Sequence, residues 1–519
     1  MAKTKKKTAA PKPAPPSAGR AITHADVRMY RIGTGDCFAI KFFSGDTETF
    51  TMLIDCGAWS GDKAVFEKHV RDLKAYLNNK VDVLVVTHEH KDHVLGFERC
   101  ADLFTKNFTV GKIWMSWAEK DGDDVVEEWK KDIGQKKKAL AAAAQQLSKA
   151  VHAKGFEAEM RSLHRGHERL AAHRRFSAVL GDFADLQMSL DKNGLYAGPL
   201  AGMKIVKEKI AKGGSGASTI AYWSPGQIIE NIAGLEGVRM YVLGPPQNKA
   251  SIAKEASSDE GETYSHNKDL AKDNAFAAAV NALDAPTTAS LLPFDASHEA
   301  LAGDSIRATY TSSAWRTIDH DWLMTAGSLA LRINTGLNNL SLALAIEFET
   351  SGRVMLFPGD AEYGSWASWH DIKWKEKGRG KHDDGTPKHL TEDLLNRTVF
   401  YKVAHHLSHN GTAKRKGLEM MTHDDLAAMA TLDYEVISDT WKSTMPNRAI
   451  LADLLTQTRG RLMVLRDDGL FFDAKRKVPL ADKIASTRAQ MSTAVGKAFK
   501  KAHESPKKTD LFIAFRVLA

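Results

Sequence analysis

Apolar positions along this chain follow two periods, and the switches between them mark out its elements. Residues 26–43, DVRMYRIGTGDCFAIKFF, read as two strands around a turn at Gly33–Gly35. Residues 49–57, TFTMLIDCG, read as a third strand that ends at Asp55. Over 62–79 the period lengthens, and Val65, Phe66, Val70, Leu73 and Leu77 share one helical face. The apolar run Val81–Val86 predicts a buried strand, and residues 111–119 another. From 125 to about 212 this pattern stops, replaced by helical sequence rich in Ala, Lys, Arg and His. Residues 213–219 form a Gly/Ser linker, and 238–246 return to a strand with a Gly-Pro stop.

Residues 247–310 are polar and broken, with one Ala-rich helix expected at 274–283; such a length marks a lid or a loop. The strand pattern resumes at 338–348 and 353–361, read as a hairpin, and at 398–412, read as a strand ending in His405 and His406. The expected organisation is a disordered basic tail (1–22), the first half of a fold (23–124), a helical basic insertion (125–220), a return strand (221–246), a loop-rich insertion (247–311) and the second half (312–519).

The strand ends carry the chemistry. Directly after Thr87 come His88, His90, Asp92 and His93, four ligand-type residues on one short loop. Imidazole and carboxylate donors together suit Zn²⁺ and similar cations. Asp360 closes the second strand of the later hairpin. Strands stopping at one edge of a sheet bring such distant residues together. No Ser-His-Asp or Cys-His arrangement competes, and the Gly33-Thr34-Gly35-Asp36 turn is no P-loop because no Gly-Lys-Ser/Thr follows.

Bulk properties narrow the picture. At 519 residues with 43% apolar content, the chain is long enough for one large domain with insertions or for two domains. No apolar run approaches the roughly 18 residues of a membrane span, so no membrane role is expected. The N-terminus lacks a signal-peptide core. Cys37, Cys56 and Cys100 show neither metal-type pairing nor a disulfide framework, and a cytoplasmic protein is the simplest expectation.

Of the net charge of +8, six positive charges sit in residues 1–20, leaving about +2 for the rest. A local excess remains between Lys130 and Arg175, with twelve Lys or Arg against four acids. Lys136, Lys137, Lys138, Arg174 and Arg175 are its candidate polyanion contacts, alongside the alternative of a solvated face. His152, His164, His167 and His173 in the same stretch lack ligand spacing and are expected at the surface.

The pattern His-x-His-x-Asp-His at 88–93 resembles the signature of the metallo-β-lactamase fold superfamily. Around it stand Gly-x-Gly-Asp, Leu-Ile-Asp-Cys-Gly, Asn-Asn-x-Ser-Leu, Pro-Gly-Asp and a His-His pair. That order is similar to the hydrolase domain of DNA-uptake competence proteins. It is closer still to uncharacterised bacterial hydrolases sharing Trp315-Arg316, Asp321-Trp322 and the Ala-His-His-Leu-Ser-His-Asn run. The resemblance covers about 26–120 and 312–470.

It implies an α/β (α+β) fold, a metallo-β-lactamase-like αββα sandwich with a helical insertion and metals at one edge. By position, His88 and His90 would hold one metal, Asp92 and His93 the other, and Asp360 would bridge them. One of His405 and His406 would add a ligand, the other contacting substrate; Asp55 and Asn338 would brace the ligands from behind. The cofactor implied is Zn²⁺, one or two ions, with Mn²⁺ as the alternative. Asp92 and Asp360 would be the catalytic carboxylates.

Two departures stand out. Gly336-Leu337-Asn338 replaces a Gly-His-Thr that supplies a histidine in many relatives. Thr444-Met445-Pro446 stands where a His-Pro is common, leaving Asp439 as a substitute ligand. The expected activity is metal-dependent hydrolysis of phosphodiesters, with nucleic acid as the candidate partner. Hydrolysis of an ester, lactone or β-lactam and a non-catalytic metal-binding scaffold are the alternatives.

Overall fold

In this computed structural model the described residues are 21–254, 326–466 and 511–519, apart from 107, 163–165, 213–217, 435 and 438–444, together with 257 and 262. Residues 1–20, most of the 247–311 segment with its expected helix, Trp315, Arg316, Asp321, Trp322, Asp439 and Thr444 lie outside them.

The N-terminal strands pair as their alternation demands. β1 (His24–Tyr30), β2 (Phe38–Ser44) and β3 (Thr47–Ile54) form an antiparallel meander, continued in parallel by β4 (Lys80–Val85) and β5 (Thr109–Ser116). The helix Lys63–Tyr76 makes the β3–β4 crossover; Asp62 caps it by accepting from the Val65 amide at 2.9 Å.

The chain then leaves the sheet. Helices Asp124–Val151, Phe156–Ser162 and Gly166–Asp185 pack on one another through Leu140, Leu147, Phe156, Leu180 and Phe183. Leu337 and Leu340 of the main body join the same cluster, so the helices dock on it. The segment is not helical throughout, as its composition had suggested. A small hairpin, β6 (Met188–Leu190) and β7 (Tyr196–Pro199), turns at Gly194, whose φ of 75° suits glycine.

The expected single return strand is three. β8 (Thr219–Trp223) adds to β5, while β9 (Ile228–Ile229) and β10 (Val238–Gly244) open a second sheet. β11 (Ala343–Phe348) and β12 (Val354–Phe357) extend that sheet antiparallel; β13 (Thr398–Lys402), β14 (Ala427–Asp433) and β15 (Leu462–Arg466) extend it in parallel. β16 (Phe512–Leu518), absent from the sequence reading, pairs with β1 at the edge of the first sheet.

Two seven-stranded sheets thus face each other. Val27, Ile40, Met52 and Val83 of the first meet Val242, Leu344, Met355, Phe400 and Met429 of the second in one buried cluster. Outside, Phe66, Val70, Leu73 and Phe97 cover the first sheet with helices. Trp366, Trp369, Leu394 and Leu451 do so for the second. The result is the α+β sandwich, helix–sheet–sheet–helix, that the resemblance implied. It matters for function that β3, β4 and β5 run parallel, as do β12 through β15. Their C-terminal ends, where ligands gather in parallel sheets, lie along one rim.

Candidate metal centre

Each strand reaching the rim delivers a polar residue. β3 leads to Asp55, β4 leads through Thr87 into His88, β12 leads to Asp360, and β13 leads to His405 and His406. Backbone bonds fix the loops: the Asp36 amide donates to the Asp92 carbonyl and the Cys56 amide to the His93 carbonyl, both at 2.9 Å. Gly57 permits that approach, since a Cβ there would lie 2.3 Å from the Asp92 carbonyl carbon. The Leu342 amide donates to the Thr87 carbonyl at 3.0 Å, tying the two sheets together beside the loop.

Asp92, His93, Asp360 and His406 converge. Their ligand-type atoms lie within 4.8 Å of one another. Asp360 Oδ2 is 3.1 Å from both His93 Nε2 and His406 Nε2, and His406 Nε2 is 3.0 Å from Asp92 Oδ2. All are at most 2% exposed.

Each is held by its other atom. Asp55 Oδ2 accepts from His93 Nδ1 at 2.7 Å and from the Thr87 hydroxyl at 2.6 Å. Trp59 Nε1 donates to Asp92 Oδ2 at 2.7 Å. Thr431 Oγ1 lies 2.7 Å from His406 Nδ1. Lys402 Nζ donates to Asp360 Oδ1 at 3.0 Å. The atoms left over are buried and make no hydrogen bond among the described residues: His90 Nε2, Asp92 Oδ1, His93 Nε2 and Asp360 Oδ2. Buried polar atoms without partners are costly. The imidazole and carboxylate donors that Asp92, His93, Asp360 and His406 bring together could hold a metal ion.

The electrostatics agree. Burial opposes ionisation of Asp92, but His93 and His406 outweigh it and hold the carboxyl below its ordinary range. Burial opposes ionisation of Asp360 too; His406, Lys402 and His93 hold it well below. Burial disfavours charge on the histidines, yet Asp360, Asp55 and Asp92 keep His93 protonated well above 6.5, and Asp360 and Asp92 raise His406 to about 9. His88 and His90 go the other way: burial leads in lowering both, His90 to about 4.

Those two histidines neighbour each other, with His88 Nε2 3.0 Å from His90 Nδ1. The His88 and His93 rings are 4.1 Å apart, but neither His88 nor His90 belongs to the tight four-residue set.

The consecutive histidines part company. His405, His406 and Leu407 all have left-handed backbone, with φ of 47°, 49° and 68°. This turn sends His406 among the carboxylates. His405 goes to a second polar cluster, its Nδ1 3.3 Å from Glu362 Oε1. Asn338 donates to Glu362 at 2.7 Å and lies 3.3 Å from His405 Nε2, and Asn410 donates to the other Glu362 oxygen at 2.5 Å. Asn338 closes the helix Ala326–Asn338 rather than opening a strand: the Ser341 amide turns back to its carbonyl at 3.0 Å, and β11 begins only at Ala343.

The sequence reading passed over Lys402 and Trp59. Lys402 is 1% exposed, with Nζ 2.5 Å from Asp36 Oδ2 and 2.8 Å from the Gly359 carbonyl. A lysine inside the otherwise apolar run TVFYKVA was the available signal. Trp59 had none.

The basic face is also changed. Lys137 is 8% exposed and bonded to Glu89 at 2.6 Å, so it belongs to the interior beside the metal loop. Lys136 pairs with Asp132 and Arg174 with Glu157, each at 2.9 Å, while Lys138 and Arg175 are exposed. Of the expected surface histidines, His173 is buried, packing against Phe156.

Comparison with known proteins points one way. A family model described as anti-Pycsar protein Apyc1 matches residues 27–154. The anti-Pycsar protein Apyc1 of Paenibacillus sp. (strain J14) is 33% identical over 90 residues, 17% of this chain. The match spans 33% of that relative's own length. Asp36, Asp55 and the His88–His93 loop fall inside the family match; Asp360, Lys402 and His406 fall outside it. No solved structure matches the chain significantly. Among the described residues no helix is long and apolar enough to cross a membrane.

Proposed function

We propose that this protein is a metal-dependent phosphodiesterase of the metallo-β-lactamase superfamily, acting on a small phosphodiester of the cyclic-nucleotide class. The observation that carries the reading is the convergence of Asp92, His93, Asp360 and His406, with Asp92 Oδ1, His93 Nε2 and Asp360 Oδ2 buried and making no hydrogen bond among the described residues. The likeness to anti-Pycsar proteins favours a cyclic nucleotide as the diester. Burial of these residues favours a small substrate over duplex nucleic acid, as does the pairing of Lys136, Lys137 and Arg174. Zinc is the proposed metal, with manganese as the alternative, and the cytoplasm, where the free buried Cys37, Cys56 and Cys100 stay reduced, is the proposed compartment.

A bound divalent cation supplies a water acidified toward neutral pH and positive charge for the phosphoryl oxygens. The chain's own residues supply the rest. Asp55 accepts from His93 Nδ1 and so fixes the tautomer that presents Nε2. Trp59 and Lys402 each occupy one oxygen of Asp92 and Asp360 and so aim the other. With Oδ1 taken by Lys402, Asp360 Oδ2 is the oxygen that would be left to help hold a metal.

The test is metal analysis of the purified protein followed by assay on cyclic mononucleotides, bis-p-nitrophenyl phosphate and nitrocefin. Bound metal with diester cleavage is expected. Cleavage of nitrocefin or a lactone without any diester would replace this reading with the ester-type hydrolase. A protein that takes up no metal would leave a scaffold.

A further inference from the structure

Beside the centre lies a cavity of about 250 Å³, lined among others by Trp59, Lys91, Asp182, Asp185, Val436 and Ile437. We propose that it receives the base and sugar of a nucleotide whose phosphodiester lies at the metal centre. The proposal rests on the phosphodiesterase reading and names the part of the substrate that reading left open.

Position is the first argument. Trp59 belongs to both places: its Nε1 donates to Asp92 Oδ2 at 2.7 Å, and its indole lines the cavity. Lys91 stands between His90 and Asp92 in the metal loop, and its amide is bonded to the Leu186 carbonyl at 2.9 Å. A group in the cavity is thus separated from the ligands by a single side chain.

Chemistry is the second argument. Trp59 and Ile437 offer apolar walls, and Val436 adds an apolar side chain that is 58% exposed. Aromatic and apolar walls of this kind hold a planar base without reading its sequence. Asp182 and Asp185 line the cavity from the end of the inserted helix Gly166–Asp185. Carboxylates repel a phosphate but accept from the N–H groups of a base or the hydroxyls of a ribose. The single lysine, Lys91, lies in the metal loop itself. Charge therefore sets the orientation, with the phosphodiester toward the metal and Lys91 and the N–H and O–H donors toward the two aspartates.

Size is the third. The cavity falls just below the ~300–1,000 Å³ typical of small-molecule sites, which suits one nucleoside and not an oligomer. On this account the insertion is a specificity wall, and its acids do the recognising.

The test fills the cavity from its exposed side with Val436→Glu, leaving Trp59 and Lys91 alone. KM is measured for 3′,5′-cyclic adenosine and cytidine monophosphates and for bis-p-nitrophenyl phosphate, a diester of the same charge with no base or sugar. Adenosine and cytidine are also titrated calorimetrically into the metal-free wild type and variant, a readout that needs no chemistry. The expected result is a rise of about tenfold in KM for the cyclic nucleotides, the order of one lost base contact. kcat and the p-nitrophenyl reaction should hold steady, and nucleoside binding should weaken in the variant.

If the diesters are cleaved but the substitution affects all of them equally, or none, the subsite is overturned and the activity stands. If no diester is cleaved, yet nucleosides bind the wild type and not the variant, the activity reading falls and the subsite stands. Neither cleavage nor nucleoside binding would overturn both.

Discussion

The rim of the sandwich and the helical insertion both bury lysines against carboxylates, yet they use them differently. In the insertion the charges close on each other: Lys137 on Glu89, and Lys207 on Asp121 and Glu119. At the rim they stay open: Lys402 takes one oxygen each from Asp36 and Asp360, and Asp360 Oδ2 is left facing His93 and His406. Closed pairs stiffen a contact, whereas an open one has capacity for a further cation. A count of basic residues along the chain cannot tell the two apart, because the partner of each lysine lies far away in sequence.

The comparison is tested most severely at the open site. Asp92→Ala should lower kcat by about 10² or more, the scale of losing a leading electrostatic stabiliser. Metal content should fall with it while the thermal melt stays cooperative; a variant retaining both metal and activity would remove Asp92 from the centre.

Next in size is the contrast between two lysines. Lys402→Met leaves Asp36 and Asp360 buried without their cation and should cost about 3–5 kcal/mol in urea denaturation. Lys137→Met strands only Glu89, whose side chain is 33% exposed, and should cost about 1 kcal/mol or less. Equal losses would erase the distinction between open and closed.

The pH response of metal-free protein comes third. His406, raised to about 9, contributes stability that is complete below its ordinary 6.5 and lost as pH rises through about 9. Asp92 and Asp360, both lowered, contribute stability present above 3.8 and lost as pH falls through their depressed values. His88 and His90, held neutral by burial, oppose protonation below 6.5, so denaturation midpoints should peak near 6.5 and decline both toward 4 and toward 9. Metal uptake should release protons and strengthen with pH over the same upper range. Midpoints that keep rising above pH 7 would contradict these charge states.

The smallest effect is expected on the outer face of the insertion. Neutralising Lys136, Lys138, Arg174 and Arg175 should change cyclic-nucleotide turnover less than about twofold and leave its salt dependence shallow. A steep loss with salt, together with cleavage of DNA or RNA, would return a polymer to the site.

How far the sequence could speak depended on how local each feature is. The approach of Asp92 and His93 to each other was legible because they share one turn, and that of Asp360 because it follows an apolar strand; His88 and His90, read from the same turn, stand outside the converging four. The choice between His405 and His406 was not, since the two differ by one position and only a left-handed turn decides which one faces the carboxylates. Asn338 misled because an apolar run following it resembled one continuous strand, when a turn intervenes. β16 went unread because its partner, β1, lies at the other end of the chain. Lys402 was hidden by its neighbours, and only the strand ends of two sheets explain it.

Lys402 has one more consequence, for the order in which the molecule is completed. A rim of acids held only by metal would have to wait for metal before it could close, as small zinc-dependent domains do. Here part of the counter-charge is a side chain made with the chain itself, bonded to Asp36 and Asp360. Folding can then precede loading. On the proposed reading the protein should survive a chelator folded and empty, and take up metal again when it is restored.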